Sequence, residues 1–337
     1  GESTGNDEET AGGSTGGEWE SSDEEWNDDA EGSSASSNPA SNTDASDDIP
    51  EMDIAQTELA NLQENDSPMV SEAQLTGTIL NQGTINVSGE EGGSVLAQGT
   101  QVGQFGTIHA DGVSGNGGSI QLNASETVAV GADSVTTANA GLNGDGGEII
   151  ILGEQTAMIA TGARIEARGG SESGNGGFVE TSGHENFQIG TTPDVTAPAG
   201  QAGTWLIDPN NITILDNGGA HVVIDDSGIP WISTADGAQV DISLLLAGLN
   251  AGGTVWIQTQ DPVGSLEAGN ITVQDVINYD GIGAIGSALI LEAHNDIIIN
   301  GGIVTTDLAA NSLDLTLMAL GAISQTAEIQ VQDLAFL

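Results

Sequence analysis

From about Leu75 onward, apolar and polar positions alternate in short runs rich in Val, Ile, Thr and Ala, and Gly, Asn or Asp separates one run from the next. A period of two with such close punctuation predicts many short strands joined by tight turns. In SIQLNA (119–124) the alternation sends Ile120 and Leu122 inward and leaves Ser119, Gln121 and Asn123 outward. The runs also recur. Paired glycines stand at Gly92–Gly93, Gly117–Gly118, Gly146–Gly147 and Gly176–Gly177, at spacings of 25, 29 and 30 residues, and the last three pairs lie in near-identical contexts: GNGGSIQL, GDGGEIII and GNGGFVET. Three strand-like pieces follow a pair, as in SIQLNA, TVAVGA and SVTTANA, then EIIILGE, AMIATGA and RIEARGG.

Self-similarity at this period marks a stacked architecture. Helix-length patterns and the signatures of propeller blades are absent here. Three short strands per repeat of 25–30 residues fit one coil of a right-handed parallel β-helix, an all-β solenoid in which each strand pairs with its equivalents in the coils above and below. The glycine pairs are expected at the corners, with positive φ at many of them. At roughly 25 residues per coil and about 4.8 Å per step, residues 75–337 make about ten coils, on the order of 50 Å of stack. Small β-branched side chains are expected to fill its narrow interior.

The pattern loosens after Pro209, which sets regular coils over residues 71–214 apart from a less regular continuation over 215–337. Residues 240–249 (VDISLLLAGL) predict a short helix stopped by Gly252–Gly253, and TVWIQT, NITVQD, ALILEA, DIIING and LDLTLMA predict further strands. Residues 1–70 differ in kind: they carry 20 carboxylates and no cation, with few large apolar residues. Such a segment cannot bury enough surface to offset its ordering entropy, so a disordered acidic leader is expected, with 51–64 the one candidate helix.

Composition narrows the function. The whole chain has 50 acidic residues against Arg164 and Arg168, a formal net charge of −48, with no lysine and no cysteine. Two cations cannot neutralise a phosphate backbone or dock on an anionic bilayer, which excludes nucleic acid and a polybasic membrane face. Disulfides and thiolate metal sites are impossible. No apolar run is long enough to span a bilayer as a helix. The start at Gly1, with no initiator Met and no signal-peptide pattern, reads as an internal piece of a longer precursor.

Three segments, LNQGTINVSGEEGG (80–93), IEARGGSESGNGGFVETSGHENF (165–187) and GTWLIDPNNITI (203–214), resemble filamentous-haemagglutinin-type adhesins, and within them the high-molecular-weight adhesins of two-partner secretion. The resemblance covers residues 75–337, most closely 80–214. It implies a secreted or cell-surface protein of a Gram-negative-type bacterium, with host-cell or surface glycans and proteins as partners. It also implies export through an outer-membrane transporter that reads an N-terminal secretion domain. The NPNG-like and NPNL-like motifs of that domain are not in this sequence.

Parallel β-helices include pectin-degrading enzymes, so a polysaccharide lyase or hydrolase is one alternative, and a purely structural matrix or sheath protein is another. A hydrolase needs carboxylates converging at about 5–9.5 Å. Asp225–Asp226 and Glu90–Glu91 are the adjacent acidic pairs of the repeat region, both in turn-like contexts, and are expected to be solvated. Arg164, Glu166 and Arg168 share strand parity, which predicts a surface ion-pair ladder. His109, His184, His221 and His294 have no metal-ligand spacing, and Ser182 lacks the G-x-S-x-G frame of a nucleophile elbow. The segment GDGGEIIIL (144–152) echoes a calcium nonapeptide only weakly. No catalytic residue, metal ligand or cofactor is therefore expected, beyond non-specific screening by divalent cations. Trp205 and Trp256 are expected to pack, and Trp231, beside Pro230, to be an exposed contact. Asn86, Asn123, Asn211 and Asn270 head N-x-S/T sequons and are the candidate glycosylation sites.

Overall fold

The computed structural model describes residues 77–218, 221–224, 229–233, 237–260, 267–281, 286–306 and 313–337. The expected acidic leader, the candidate helix at 51–64 and the Asp225–Asp226 pair lie outside the described residues.

The described strands pair in parallel and stack as a β-solenoid of about nine turns. Three faces build each early coil. The first face runs from Ser94–Gln104 through Ser119–Val130, Glu148–Gly153, Phe178–Gly183 and Thr204–Ile207 to Thr254–Gln258, Ser287–Ala293, Leu313–Ala319 and Asp333–Phe336. Its register joins Ser94 to Ser119, Ser119 to Glu148 and Glu148 to Phe178. These steps equal the spacings of the glycine pairs. Where separate strands were expected at SIQLNA and TVAVGA, one strand, Ser119–Val130, runs through both. Its second half belongs to a second face, with Thr78–Asn81, Gln101–Gln104, Thr156–Ile159 and Asn186–Ile189. The third face holds Thr84–Asn86, Thr107–His109, Val135–Thr137 and Arg164–Glu166. In later coils two separate sheets follow the second and third faces: one through Gln239–Asp241, Ile212–Leu215, Ile271–Val273, Ile297–Ile299 and Ile323–Gln325, which meets the second face at the Phe187–Ala238 bridge, the other through Ile277–Tyr279, Ile303–Thr305 and Ile329–Gln330.

Alternation sets the core. Ile120 and Leu122 are buried, as are Ile149, Ile151, Val179 and Ile257 at equivalent positions. The interior is not filled by small side chains alone: Phe187, Trp205 and Tyr279 are wholly buried too. They sit where coils change shape around the helix α1 (Ile242–Asn250). Asp241 caps α1 by accepting from the Ser243 amide at 2.8 Å, which satisfies an N-terminal donor that the helix itself cannot. Ile242, Leu245 and Leu249 then face inward. The Tyr279 hydroxyl donates to Ser287 Oγ (2.9 Å), and Ser287 donates to the Leu249 carbonyl (2.6 Å), which ties α1 to the first face.

Residues 221–224 and 229–233, between Leu215 and the strand Gln239–Asp241, lie as a strap over the outside of the second face. Trp231, only 4% exposed, packs with Ala129 and Met158 and lies against Gly103. Its ring centroid is 5.4 Å from that of Phe105. The expectation of an exposed contact is thus corrected. Small outward residues at 103 and 129 make room for the indole, while Val223, Ile229 and Ile232 face solvent instead. The strap is also bonded through Thr161–Val222 and Gln188–Ser233.

Candidate functional site

The paired glycines form a continuous column. The second glycine of each pair donates across its own coil: Gly118 to the Ala110 carbonyl, Gly147 to Ala138, Gly177 to Ala167, all at 2.7–2.8 Å. The first donates to the next coil, as Gly117 does to Asp145 and Gly146 to Asn175. None of the eight paired residues has positive φ, which corrects the expectation of left-handed backbone there. Glycine is needed there because backbones meet. A Cβ at Gly117 would overlap the Ala138 carbonyl, and one at Gly118 the Gly93 carbonyl. The same holds at Gly92, Gly93, Gly146, Gly147, Gly176 and Gly177. Positive φ falls instead on Gly144 and Gly174, one residue before the Asp or Asn of their corners. The column continues into Gly203, and Thr254 donates to its carbonyl at 3.0 Å. The absence of a glycine at position 202 hides that corner from a search for pairs.

This column floors an open groove of about 800 Å³. One bank carries Ser94, Ser119, Glu148, Phe178 and Thr204, and the other Asn175 and Gln201. The second bank is knitted by side chains. Glu91 Oε2 accepts from the Asn116 amide (2.7 Å), Asn116 Oδ1 from Asp145 (2.8 Å), Asp145 Oδ1 from Asn175 (2.7 Å) and Asn175 Oδ1 from Gln201 (3.0 Å). The Asn or Asp between the glycines is therefore a rung, and Glu91 starts the series, while Glu90 accepts from the Ser114 hydroxyl. Two more such ladders run along the solenoid, Asp111–Asn139–Arg168 and Asn211–Asn270–Asp296. Sequence reasoning missed all three. The available signal was an Asn or Asp recurring at the coil period.

The predicted site residues are dispersed. Arg164 pairs with Glu166 in its own strand, and that partner holds the guanidinium above its ordinary value. Arg168 reaches Asp194 at 3.5 Å instead of Glu166. His109 Nδ1 lies 2.8 Å from Thr137 Oγ1, and His184 Nδ1 3.3 Å from Glu154 Oε2. His221 is exposed. Ser182 is buried and accepts from the Asp208 amide at 3.1 Å. Of the sequon residues, Asn86 is exposed and accepts from the Ser88 amide (2.9 Å), Asn123 is half-buried on the first face, and Asn211 and Asn270 serve as ladder rungs. Trp256 stands half-buried on the outer side of the first face, its indole donating to Glu292 at 3.2 Å.

A titratable group that the sequence did not bring together gathers around Asp208: Glu180, His184 and Glu292, the last of which also holds the Trp256 indole. Asp208 is 7% exposed, and burial pushes its carboxyl up to about 6. Burial likewise raises Glu180. Among the described residues, no set of three or more His, Asp or Glu side chains has metal-binding geometry, and no helix is long and apolar enough to cross a membrane. In comparisons with known proteins, no family model and no curated sequence matches this chain.

Proposed function

We propose that this chain is part of a filamentous-haemagglutinin-type surface adhesin exported by two-partner secretion, whose solenoid attaches cells to host or environmental surfaces through many weak contacts. The observation that carries the reading is repetition of surface chemistry. The early coils repeat a glycine floor and, at Asn116, Asp145 and Asn175, an Asx rung at intervals of about 4.8 Å, while the first-face residue beside the floor varies from Ser94 and Ser119 through Glu148 and Phe178 to Thr204. A partner that itself repeats, such as a glycan chain or a dense receptor layer, then meets equivalent contacts in series, and avidity multiplies a small single-site affinity. The segments that carry the family resemblance support it from the sequence side, since GGFVETSG and WLIDPNNITI fall in consecutive coils paired through Phe178–Thr204 and Val179–Trp205.

The test uses the full chain displayed on beads at graded density. Attachment to cells or glycan-coated surfaces should rise steeply with density, and no single substitution among outward residues should abolish it. Release of reducing or unsaturated sugar ends from polysaccharides would replace this reading with an enzymatic one. Density-independent absence of attachment across cell and glycan surfaces would favour a structural sheath component.

A further inference from the structure

The coil that contains Trp205 meets the next one across an unusual joint. Ile207 pairs with Ile257, yet the chain between them includes the strap and α1. The turn at 208–211 is bonded on both sides. Toward the preceding coil, the Asp208 amide donates to Ser182 Oγ and the Asn210 amide to the His184 carbonyl at 2.8 Å. Toward the following coil, the Gln260 amide donates to the Pro209 carbonyl at 3.3 Å, and the Gln260 side chain donates to Asp208 Oδ2. Asp208 Oδ1 is sealed from solvent with no hydrogen-bond partner.

We propose that Asp208 makes this joint tighten under mild acid: protonation removes a sealed negative charge between two coils while its bond from Gln260 is kept. The groups facing it come from three coils. Glu180 and His184 lie on the preceding coil, Glu154 lies beside His184 from the coil before that, and Glu292 faces Asp208 from a later coil. Burial raises the carboxyl to about 6 and Glu180 and Glu292 push the same way, against Gln260 and His184. The folded value lies above the ordinary 3.8, so the folded chain holds this proton more tightly than the open one. The stabilisation is therefore complete below about pH 3.8 and is lost as pH rises through about 6.

Hydrogen exchange on the full chain, corrected for intrinsic rates, tests this. Between about pH 7.5 and 5 the amides of Asn210 and Gln260 should gain roughly tenfold protection. The Ile149 and Ile151 amides, in a coil away from the joint, should change far less. Asp208→Asn should flatten the response at the joint, and Glu126→Gln, at an exposed position, should leave it intact. An equal change at all four amides overturns the proposal, as does an undiminished response in Asp208→Asn. If that variant fails to fold, the wild-type comparison decides alone.

Discussion

A missing methyl group governs each corner of this solenoid. At Gly117 the backbone turns with ordinary φ, so conformational freedom is not what the position requires; the requirement is the space taken by the Ala138 carbonyl. Gly117→Ala should therefore cost about 3 kcal/mol or more in denaturant unfolding, whereas Ser119→Ala, two residues on and half-buried, should stay within about 0.5 kcal/mol. The rungs behave differently. Asp145 uses its side chain as an acceptor for the Asn175 amide, a role Asn fills equally at 116. Asp145→Asn should be nearly neutral, and Asp145→Ala should cost about 0.5–1.5 kcal/mol. Comparable losses for both would show that the charge, not the hydrogen bond, is what matters there. The sequence located these positions through their spacing but assigned the wrong cause to the glycines, because clashes between coils are invisible to a local reading.

Among elements, the strands were the most legible. Ile120 and Leu122 point inward as alternation dictates, and α1 overlaps the segment read as helical, starting two residues later because Asp241 serves as its cap and ending one residue later at Asn250. The strap was illegible for a physical reason. Trp231 follows Pro230 in a stretch without periodicity, and its socket of Gly103, Ala129 and Met158 lies over 70 residues away in sequence. Trp231→Ala should lower stability by about 3–5 kcal/mol, as truncation of a buried indole does. Exposed Ile232→Ala should change little. Equal effects would place the strap's anchor elsewhere.

For the whole chain, charge sets the conditions under which the stack survives. With a net charge of −48, self-repulsion opposes compactness, and added salt relieves it. The melting temperature should rise between about 0.05 and 0.5 M sodium chloride, while calcium at matched ionic strength should give the same value. A saturable excess with calcium would reveal a specific site in place of diffuse screening. The candidate site was the least legible level. Glu180, Asp208 and Glu292 are separated by 28 and 84 residues, and only the register of stacked coils brings them near one another.

The strap also bears on how the molecule carries load. In a stack where each coil touches only its neighbours, tension on one end strips coils one at a time, each at the same modest force. Trp231 instead grips coils several steps back from the one that precedes it in sequence, through Gly103, Ala129 and Met158. Pulling from the C-terminal end should therefore give a sawtooth of small, evenly spaced events, then a single larger rupture when the indole leaves its socket, after which the early coils lose that tie. In Trp231→Ala the large event should vanish and the even spacing should run through to the first coil.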